Sequence, residues 1–433
     1  MSGQTADVVI IGAGVMGNSV ALELARAGRR VVVVDRGPGP GHGSTSASSA
    51  IVRFNYSTWT GVVTAWESKH AWERWGEHLD GLDDGPLAKY FKTGGLALDS
   101  PDQDFTVVRD LFQQAGVTYQ VLSPDDIRAK IPGLSPDRHY PPKSLDDKAF
   151  WDDPQGELFG LWTPDSGFID DPALAARNLL NAARRSGVEV AFRTAVVEIR
   201  SKGRTIIGVT LADGTRIDAP VVINCAGPHS AAINALVDGV LDDFTVTTRP
   251  LRQEVHEVPA PPGYGAPGPI VADLDLGVYF RGTPGGNLLV GGTEPRCDPL
   301  HWLDDPDDYH GAPTQAVYEA QTCRAARRLP DLALPHAPRG IVGIYDVSSD
   351  WTPIYDRTAV DGYYVAIGTS GNQFKNAPIV GLIMHTLITA CENGRDHDTD
   401  PVQLRLPYTG HVADLGHYSR RREMNETSGT VMG

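Results

Sequence analysis

Cysteine and metal-binding spacings are scarce in this sequence, and their scarcity removes two classes of site. The 433 residues include four cysteines, none of them in a CxxC pair, so we expect neither a disulfide framework nor a zinc site. The 13 histidines show no HExxH or other metal-ligand spacing. The sequence therefore predicts reduced thiols and no bound metal.

Positive charge is also in deficit. Lysine and arginine number 38 against 54 aspartate and glutamate residues, which gives a formal net charge of −16. This balance argues against nucleic acid or an anionic membrane as a partner, although a local positive pocket can still bind an anionic substrate. The chain shows no apolar run as long as a membrane span and no signal-peptide pattern. We therefore expect a cytoplasmic protein without a membrane span.

The first 35 residues have the pattern of a strand–helix–strand unit. Val8–Ile11 is a short apolar strand, and residues 12–17 form a glycine-rich turn that opens a helix with one buried stripe. Gly28 follows this helix at the position where a left-handed cap is usual. Val31–Val34 is a second, fully apolar strand, which is typical of a buried parallel sheet.

The turn at residues 12–17 reads GAGVMG, which matches the dinucleotide-binding pattern GxGxxG between a strand and a helix. We expect Gly12 to permit the tight turn, Gly14 to let the backbone approach a pyrophosphate, and Gly17 to allow close helix packing. The helix N-terminus offers N–H groups and a positive dipole end to the phosphates. Asp35 can accept hydrogen bonds from ribose hydroxyls, which disfavours NADP, but the motif leaves FAD and NAD open.

Further along the chain, apolar runs and helical periodicity predict more strands and helices. Strands are predicted at Val188–Phe192, Val196–Arg200, Thr205–Leu211, Ala219–Asn224 and Tyr363–Ile367. Helices are predicted at residues 60–80, Pro172–Ser186 and Val380–Ala390. The pair Asp213-Gly214 marks a hairpin turn. The last fifteen residues are polar, and we expect them to pack loosely.

Four patches, in order along the chain, resemble one family of flavoproteins. They are the turn at 12–17, Ser44–Tyr56 (STSASSAIVRFNY), Val221–Pro228 (VVINCAGP) and Gly362–Val380 (GYYVAIGTSGNQFKNAPIV). On these patches the sequence resembles the D-amino acid oxidase superfamily, and within it the branch of sarcosine oxidase and dimethylglycine dehydrogenase. The resemblance spans nearly the whole chain and favours FAD over NAD.

The resemblance implies an α/β fold in which a Rossmann-type FAD-binding domain is interleaved with a second domain. The second domain is an α+β substrate-binding domain built on a mostly antiparallel sheet. The FAD-binding domain is expected to take residues 1–90, 166–245 and 341–433. The substrate-binding domain is expected to take residues 91–165 and 246–340.

The resemblance also implies non-covalent FAD. The positions that link flavin covalently in relatives fall near Gly343, where they carry cysteine, and near Ser46, where they carry histidine; neither residue is present here. Val196 resembles the strand position whose backbone meets the adenine. Beside Gly12, Gly14, Gly17 and Asp35, the expected cofactor contacts are Val15, Met16, Arg36, Thr45, Ser46, Ser49, Ala50, Val196, Ala226, Gly227, Gly343, Gly371, Asn372, Gln373, Phe374 and Lys375.

The resemblance implies a reaction as well. In this family a substrate amine or N-alkyl amino acid gives a hydride from carbon to flavin N5, and the imine product hydrolyses. Arg53 and Lys375 resemble the family's cationic residues beside the flavin, and an arginine fork with a lysine point charge suits one carboxylate. Tyr279 and Arg281 lie on a strand similar to the one facing the flavin and are candidate substrate contacts. His256 lies in a similar neighbourhood, but a lone histidine more often has a structural role.

Two departures from the family pattern leave the electron acceptor and the substrate open. Leu289 stands where sarcosine oxidases carry a lysine that activates oxygen, so the acceptor is either O2 or a partner protein. Ala50 stands in place of a second arginine, which changes the expected substrate pocket.

Other functions compete with amine oxidation. A FAD-dependent 2-hydroxy acid dehydrogenase shares the fold, and a non-catalytic FAD-binding subunit is a third alternative. A flavin monooxygenase is disfavoured because the chain contains no Gly-Asp pair of the kind those enzymes carry late in the sequence. An NAD-dependent dehydrogenase would leave Gly362–Val380 unexplained.

Overall fold

A twisted parallel sheet forms the centre of one half of the molecule. The computed structural model describes residues 4–81, 85–103, 105–427 and 429–432. Within these residues, five adjacent strands of this sheet are parallel and a sixth, at the edge, is antiparallel. The order across the sheet is Glu189–Phe192, Val31–Asp35, Val8–Ile11, Val221–Asn224, Tyr363–Ile367 and Ile354–Arg357. The central strands are apolar throughout because both faces of the sheet are covered.

The two faces of this sheet bury alternate residues of the same strands. Val8 and Ile10 pack with the helices on one face, whereas Val9 and Ile11 pack with a smaller sheet on the other. The helices are Val15–Arg26, Pro172–Arg185 and Ala377–Glu392. The smaller sheet consists, in order, of Gln4–Thr5, Arg216–Asp218, Thr205–Leu211 and Val196–Lys202.

Two turn predictions are confirmed by the backbone. Gly28 has a φ of 83° directly after the first helix, and the next N–H, of Arg29, bonds back to the carbonyl of Leu24 at 3.1 Å. Gly214 also has a φ of 83° and joins two antiparallel strands. Both positions lie in the left-handed region, which glycine adopts without steric cost.

A larger, mostly antiparallel sheet forms the second half of the molecule. Along its main path the strands are His301–Trp302, Thr248–Pro259, Asn287–Gly292, Val278–Gly282, Ile270–Asp273, Gly95–Leu98, Gly160–Thr163 and Gln120–Leu122. The strand Gly340–Ser348 pairs with Thr248–Pro259 and so belongs to this sheet, although the predicted boundary at residue 341 assigns it to the FAD-binding domain. The helix Gln315–Arg328 packs against one face of the sheet.

Shorter elements complete the described chain. One small sheet has three strands, in the order Ile51–Val52, Gly167–Ile169 and Tyr90–Phe91. A second consists of Gln403–Arg405 and Val412–Asp414. Further α-helices are Trp59–Glu73, Trp75–His78, Phe105–Ala115, Pro124–Lys130 and Ser230–Asn234. Single 3-10 turns are Lys148–Trp151, Gly227–His229, Phe374–Asn376 and Leu415–Tyr418. This architecture confirms the predicted fold class of an α/β Rossmann-type domain interleaved with an α+β domain.

The expectation that the last fifteen residues pack loosely is wrong for several of them. Arg420 is 1% exposed and donates hydrogen bonds to Asp356 (3.0 Å) and Asp398 (2.8 Å). Val431 and Met432 are also buried. Local composition misses this burial because the compensating carboxylates come from other parts of the chain.

Within the described residues, one helical stretch is long and apolar enough to span a bilayer. It is Phe374–Glu392, with a mean hydropathy of 1.2, and 67% of the tested window is buried inside the protein. A core helix meets the same criteria, and this one packs against the helix Val15–Arg26.

Candidate functional site

One large cavity, of about 650 Å³, lies where strands of the parallel sheet end and the antiparallel sheet begins. Ile11, Asp35 and Cys225, at or just after the carboxyl ends of three parallel strands, line it. Tyr279 and residues 341–346 line it from the antiparallel sheet. Ligands of open α/β sheets bind at this edge, so the topology places the candidate site between the two halves.

The glycine turn at the cavity has no room for side chains at two positions. A Cβ on Gly12 would lie 2.4 Å from the carbonyl oxygen of Cys225, and its φ is 110°. A Cβ on Gly17 would lie 2.0 Å from the carbonyl oxygen of Gly12, so Gly17 serves helix packing and does not line the cavity. Gly14 faces the cavity, with only the Thr45 hydroxyl within 4 Å of its absent Cβ. These three environments fit a dinucleotide-binding turn.

Side chains near the helix N-terminus hold the turn in place. The Asp35 carboxylate accepts hydrogen bonds from the N–H groups of Ala13 and Gly37, each at 2.6 Å. The Thr45 hydroxyl accepts one from the N–H of Val15 at 3.1 Å. Asp35 and Thr45 both line the cavity, so the same groups that shape the turn also face the position of a bound nucleotide.

Three charged or titratable side chains at the cavity make a contact that the sequence did not indicate. Arg36 donates to Asp307 at 2.6 Å, and His229 lies 3.0 Å from the same carboxylate. The hydrogen bond from Arg36, aided by His229, lowers the pKa of Asp307 to about 2. Asp307 therefore links the antiparallel half to the Rossmann half across the cavity, and no local motif around it could have revealed this.

Nearly all of the predicted cofactor residues meet at this one cavity. Its lining includes Gly12, Gly14, Val15, Met16, Asp35, Arg36, Thr45, Ser46, Ser49, Ala50, Val196, Ala226, Gly227, Gly343, Gly371, Asn372, Gln373, Phe374 and Lys375. They come from segments far apart in sequence, and the fold brings them together along one continuous wall. The set therefore fits an extended dinucleotide. In the described part of the chain, no three His, Cys, Asp or Glu side chains converge as metal ligands.

Two buried cations, Arg53 and Lys375, line the same cavity. Arg53 donates to the carbonyl oxygens of Asn55 (2.6 Å) and Val431 (2.8 Å), and the Lys375 ammonium donates to a main-chain carbonyl. The ring of Tyr56 lies 5.2 Å from the guanidinium carbon of Arg53 and 5.0 Å from the Lys375 nitrogen. Cation–π attraction to this shared ring holds both charges close to one point.

The backbone of Lys375 is held by aromatic residues of the helix Trp59–Glu73. The indole N–H of Trp72 donates to the carbonyl oxygen of Lys375 at 2.7 Å. The Trp72 ring also stacks on Phe374, with 5.7 Å between centroids and 10° between planes. Trp72 thus fixes the position of the lysine backbone.

Neither cation has a carboxylate partner among the described residues. Burial lowers the pKa of Arg53. Burial, followed by the like charge of Arg53, lowers the pKa of Lys375 well below its ordinary value. Two buried positive charges that hydrogen-bond only to neutral carbonyls form a strong site for an anion, because a bound carboxylate would restore the charge balance.

The structure separates the other candidate residues. Tyr279 lines the cavity and its hydroxyl lies 2.8 Å from that of Ser49. Arg281 does not line the cavity: it stacks over Phe168 at 3.9 Å and donates to the carbonyl of Ser49, which supports the flavin-side loop. His256 faces the opposite side of the sheet, fully buried against the helix Gln315–Arg328.

Several lining residues were missed by sequence reasoning. Tyr345 and Asp346 follow Gly343 on the strand Gly340–Ser348, and Val431 and Met432 come from the end of the described chain. The carboxyl of Asp346 accepts the N–H of Gly368 at 2.6 Å, and burial raises its pKa to about 7. The alternation of this strand was the available signal: Gly343 and Tyr345 are two residues apart, so they lie on the same face of the strand.

Comparison with known proteins identifies a family for the chain. The chain matches the protein-family model DAO, described as FAD dependent oxidoreductase, over residues 7–387. It is similar to sarcosine oxidase subunit beta of an Arthrobacter species, 25% identical over 422 residues, which cover 94% of this chain and 92% of that protein. It is also similar to FAD-dependent oxidoreductase domain-containing protein 1 of Xenopus laevis, 23% identical, with 89% of this chain and 79% of that protein covered.

Solved structures share the fold. L-proline dehydrogenase from P. horikoshii superposes with a TM-score of 0.75 at 21% identity, covering 97% of this chain and 98% of that one. Glycine oxidase from Geobacillus kaustophilus superposes with a TM-score of 0.70 at 20% identity, covering 92% and 98%. The family match extends over most of the sequence, and the cavity contains the expected dinucleotide turn. The chain therefore belongs to the DAO family of FAD-dependent oxidoreductases.

Proposed function

We propose that this enzyme oxidises an amine or N-alkyl amino acid that carries a carboxylate. The observation that carries the proposal is the pair Arg53 and Lys375, two buried cations without a carboxylate partner in the described chain, lining the cavity that the dinucleotide residues line. The similar proteins support it, because sarcosine, glycine and proline, which their names contain, are all amino acids.

The cofactor residues divide by position within the cavity. The glycine turn and the start of the helix Val15–Arg26 are suited to the diphosphate, and Asp35 to a ribose. Residues 44–50 and 371–374 are assigned to the flavin ring. The flavin, when bound, supplies an acceptor for a hydride from the substrate carbon.

On the substrate side, this chain's own residues orient the reacting molecule. Arg53 and Lys375 bind its carboxylate, which fixes the adjacent carbon. The bound anion also raises the pKa of Lys375 back toward its ordinary value, since an opposite charge favours the ammonium form. Tyr279, hydrogen-bonded to Ser49, and the ring of Tyr345 form a wall that limits water around the carboxylate.

We infer that the flavin is held without a covalent bond. Gly343 and Ser46 line the cavity at the positions where relatives carry a flavin-linking residue. Cys225 also lines it, but burial raises the pKa of its thiol to about 12, so the nucleophilic thiolate is rare at neutral pH. Acid precipitation should release all of the yellow colour into the supernatant, and colour retained in the pellet would overturn this inference.

We further infer an electron acceptor other than O2. Leu289 stands where sarcosine oxidases carry an oxygen-activating lysine, and its apolar side chain offers no positive charge for that role. Readmission of air to the reduced enzyme tests this: slow reoxidation, faster with an artificial acceptor dye, is expected, whereas rapid reoxidation by air alone contradicts it.

The visible spectrum of the purified protein, recorded anaerobically before and after adding N-methyl and primary amino acids, tests the proposed function. Bleaching of the flavin bands by one compound is the expected result, and it names the substrate class. Bleaching by 2-hydroxy acids alone would move the assignment to a hydroxy acid dehydrogenase. Flavin that no compound reduces would support a non-catalytic FAD-binding role.

Two variants locate the parts of the site in this experiment. Gly14→Val fills the cavity side of the turn and should give protein without flavin, because the pyrophosphate can no longer approach the backbone. Arg53→Met should keep its flavin and lose response to carboxylate-bearing compounds. Normal flavin content in Gly14→Val would contradict the pyrophosphate assignment.

A further inference from the structure

One cavity-lining residue near the end of the described chain, Val431, is held at both of its main-chain groups by charged side chains. The N–H of Val431 donates to Glu294 Oε2 at 3.0 Å, and the carbonyl oxygen of Val431 accepts from Arg53 Nη2 at 2.8 Å. Val431 and Met432 line the cavity, and both belong to one buried cluster with Ala272. The segment 429–432 therefore occupies space at the cations that the proposed function assigns to substrate.

The two contacts match the outline of an α-amino acid. In any residue, the nitrogen and the carbonyl carbon are joined through one α-carbon, as are the amine and the carboxylate of a free α-amino acid. A guanidinium that donates to a carbonyl oxygen donates better to a carboxylate. A carboxylate that accepts from a peptide N–H accepts better from an ammonium group. Arg53 and Glu294 thus form a donor and an acceptor at amino-acid spacing.

Glu294 has no cationic partner among the described residues. Its other carboxyl oxygen accepts from the amide of Gln253 at 2.9 Å. Its φ of 52° lies in the left-handed region, which non-glycine residues adopt rarely and often at ligand sites. Burial raises its pKa to about 8, with the hydrogen bond from Val431 opposing the shift. The ammonium group of a substrate would provide the cationic partner that Glu294 lacks among the described residues.

We propose that Val431 stands in an α-amino acid subsite, and that Glu294 binds the substrate's amino group when segment 429–432 withdraws. This inference rests on the proposed function and narrows its substrate to an α-amino acid with a primary or secondary amine. The segment competes with substrate. The apparent affinity for substrate is therefore the intrinsic affinity multiplied by the fraction of molecules in which the segment has left the subsite. Arg53 then changes partners from the carbonyl of Val431 to the carboxylate.

The first test compares amino acids with analogues that lack the amine. Holoenzyme is titrated anaerobically with L-alanine against propionate, L-proline against cyclopentanecarboxylate, and N-methylglycine against methoxyacetate, and the half-effect concentration is read from the flavin spectrum. In Glu294→Gln, the preference for each amino acid over its partner should fall at least tenfold. An unchanged preference would overturn the assignment of Glu294.

Glu257→Gln is the matched control. Glu257 is also a partly buried glutamate of the antiparallel half, and it accepts from the amide of Asn287 at 2.8 Å, much as Glu294 accepts from Gln253. Neither glutamate lines the cavity while segment 429–432 is in place, but of the two Glu294 alone accepts a hydrogen bond from Val431. The amino-acid preference should remain at the wild-type value in this variant, and an equal fall in both variants would point to a general effect of lost charge and overturn the inference.

The second test follows the segment itself. Met432 is 5% exposed, so a cysteine in Met432→Cys should react slowly with a thiol reagent beyond the background of the four native cysteines. Saturating L-proline or L-alanine, whichever perturbs the flavin, should raise the rate of this added reaction at least tenfold. A rate that does not change while the flavin spectrum reports binding would overturn the withdrawal of the segment.

Failure of this inference is distinguishable from failure of the proposed function. If Arg53→Met weakens both members of every probe pair while Glu294→Gln leaves their ratio unchanged, the carboxylate clamp stands and only the amine subsite is lost. If no probe perturbs or bleaches the wild-type flavin, the proposed function fails and the amine subsite fails with it.

Discussion

Two sets of buried basic side chains in this protein differ in their partners. Arg420 donates to the carboxylates of Asp243 (3.0 Å), Asp356 (3.0 Å) and Asp398 (2.8 Å). Burial opposes its charge, but the hydrogen bonds that Arg420 donates to Asp243 and Asp398, with the nearby negative charges, outweigh burial and raise the pKa of Arg420. Arg53 and Lys375 are also buried, yet among the described residues they meet carbonyl oxygens and the ring of Tyr56 and no carboxylate.

The difference separates a structural role from a binding role. When a buried charge has all of its partners, removing one of them destabilises the fold strongly, because another charge is left uncompensated. Such a cluster needs no ligand to complete it. A buried charge without a countercharge is costly, and a protein retains it where a ligand supplies the missing charge. The same contrast holds for carboxyl groups: Asp356 is paired with Arg420, whereas Asp346 has no cationic partner among the described residues and accepts a hydrogen bond from the N–H of Gly368.

The largest expected effect of a test of this contrast is on stability. Arg420→Met removes one partner from three carboxylates and should lower the free energy of unfolding by about 3–5 kcal/mol, because the acids are left with an uncompensated charge. Denaturant titration measures this. A loss below about 1 kcal/mol, as for an exposed ion pair, would show that the cluster around Arg420 is not structural.

The matching change in the cavity should affect binding instead. Arg53→Met and Lys375→Met should each weaken carboxylate ligands about 100-fold, since a charged hydrogen bond contributes about 1.5–3 kcal/mol. Their free energy of unfolding should be unchanged or higher, because an unpaired charge leaves the interior. Flavin-monitored titration and denaturant titration of the same preparations measure the two quantities. If either variant were less stable but bound carboxylates as tightly as the wild type, these cations would be structural like Arg420.

The third prediction uses the unpaired carboxyl. Burial raises the pKa of Asp346 from 3.8 to about 7 in the folded state, so the stability it contributes is full below about pH 4 and is lost as the pH rises through 7. Asp346→Asn keeps the acceptor for Gly368 but cannot ionise. Between pH 5 and pH 8 the wild type should therefore lose on the order of 2 kcal/mol more stability than the variant. Parallel pH profiles of the two proteins would contradict the raised pKa.

The smallest effect is expected at an exposed pair, which sets the baseline. Asp304 is fully exposed and lies 3.2 Å from Arg249. Asp304→Asn should leave the melting temperature unchanged within error, because solvent and salt screen such pairs. A measurable fall in melting temperature would mean that exposed ion pairs also stabilise the fold. The effect of Arg420→Met could then not be ascribed to burial of its partners.

The cofactor side of the site was accessible from sequence because its signals are local. The strand Val8–Ile11, the glycine turn after it and the cap at Gly28 each depend on neighbours within a few residues, and the structure has all three. The resemblance then supplied distant segments such as Gly371–Lys375, which line the cavity with the turn.

The substrate side was accessible only in part. Arg53 and Lys375 were predicted from the resemblance, whereas Arg281, predicted beside them, points at Phe168 and supports a loop. A strand pattern indicates that Tyr279 and Arg281 share one face, but it does not say how far along that face the cavity extends. Their different positions depend on the packing of the second domain against the first.

The sequence by itself determined the dinucleotide turn, because the turn follows from short-range sterics, periodicity and a local motif. The fold class and the cationic residues of the flavin segments were predicted through the resemblance to a family, which the sequence also carries. The tertiary structure alone decided which charges are left without partners. Arg420 meets its acids and Arg53 meets Val431, 378 residues away, only once the chain has folded. Glu294 likewise meets Val431 across 137 residues. Such long-range contacts leave no local pattern, since the groups that make them are distant in the chain and ordinary in their own segments.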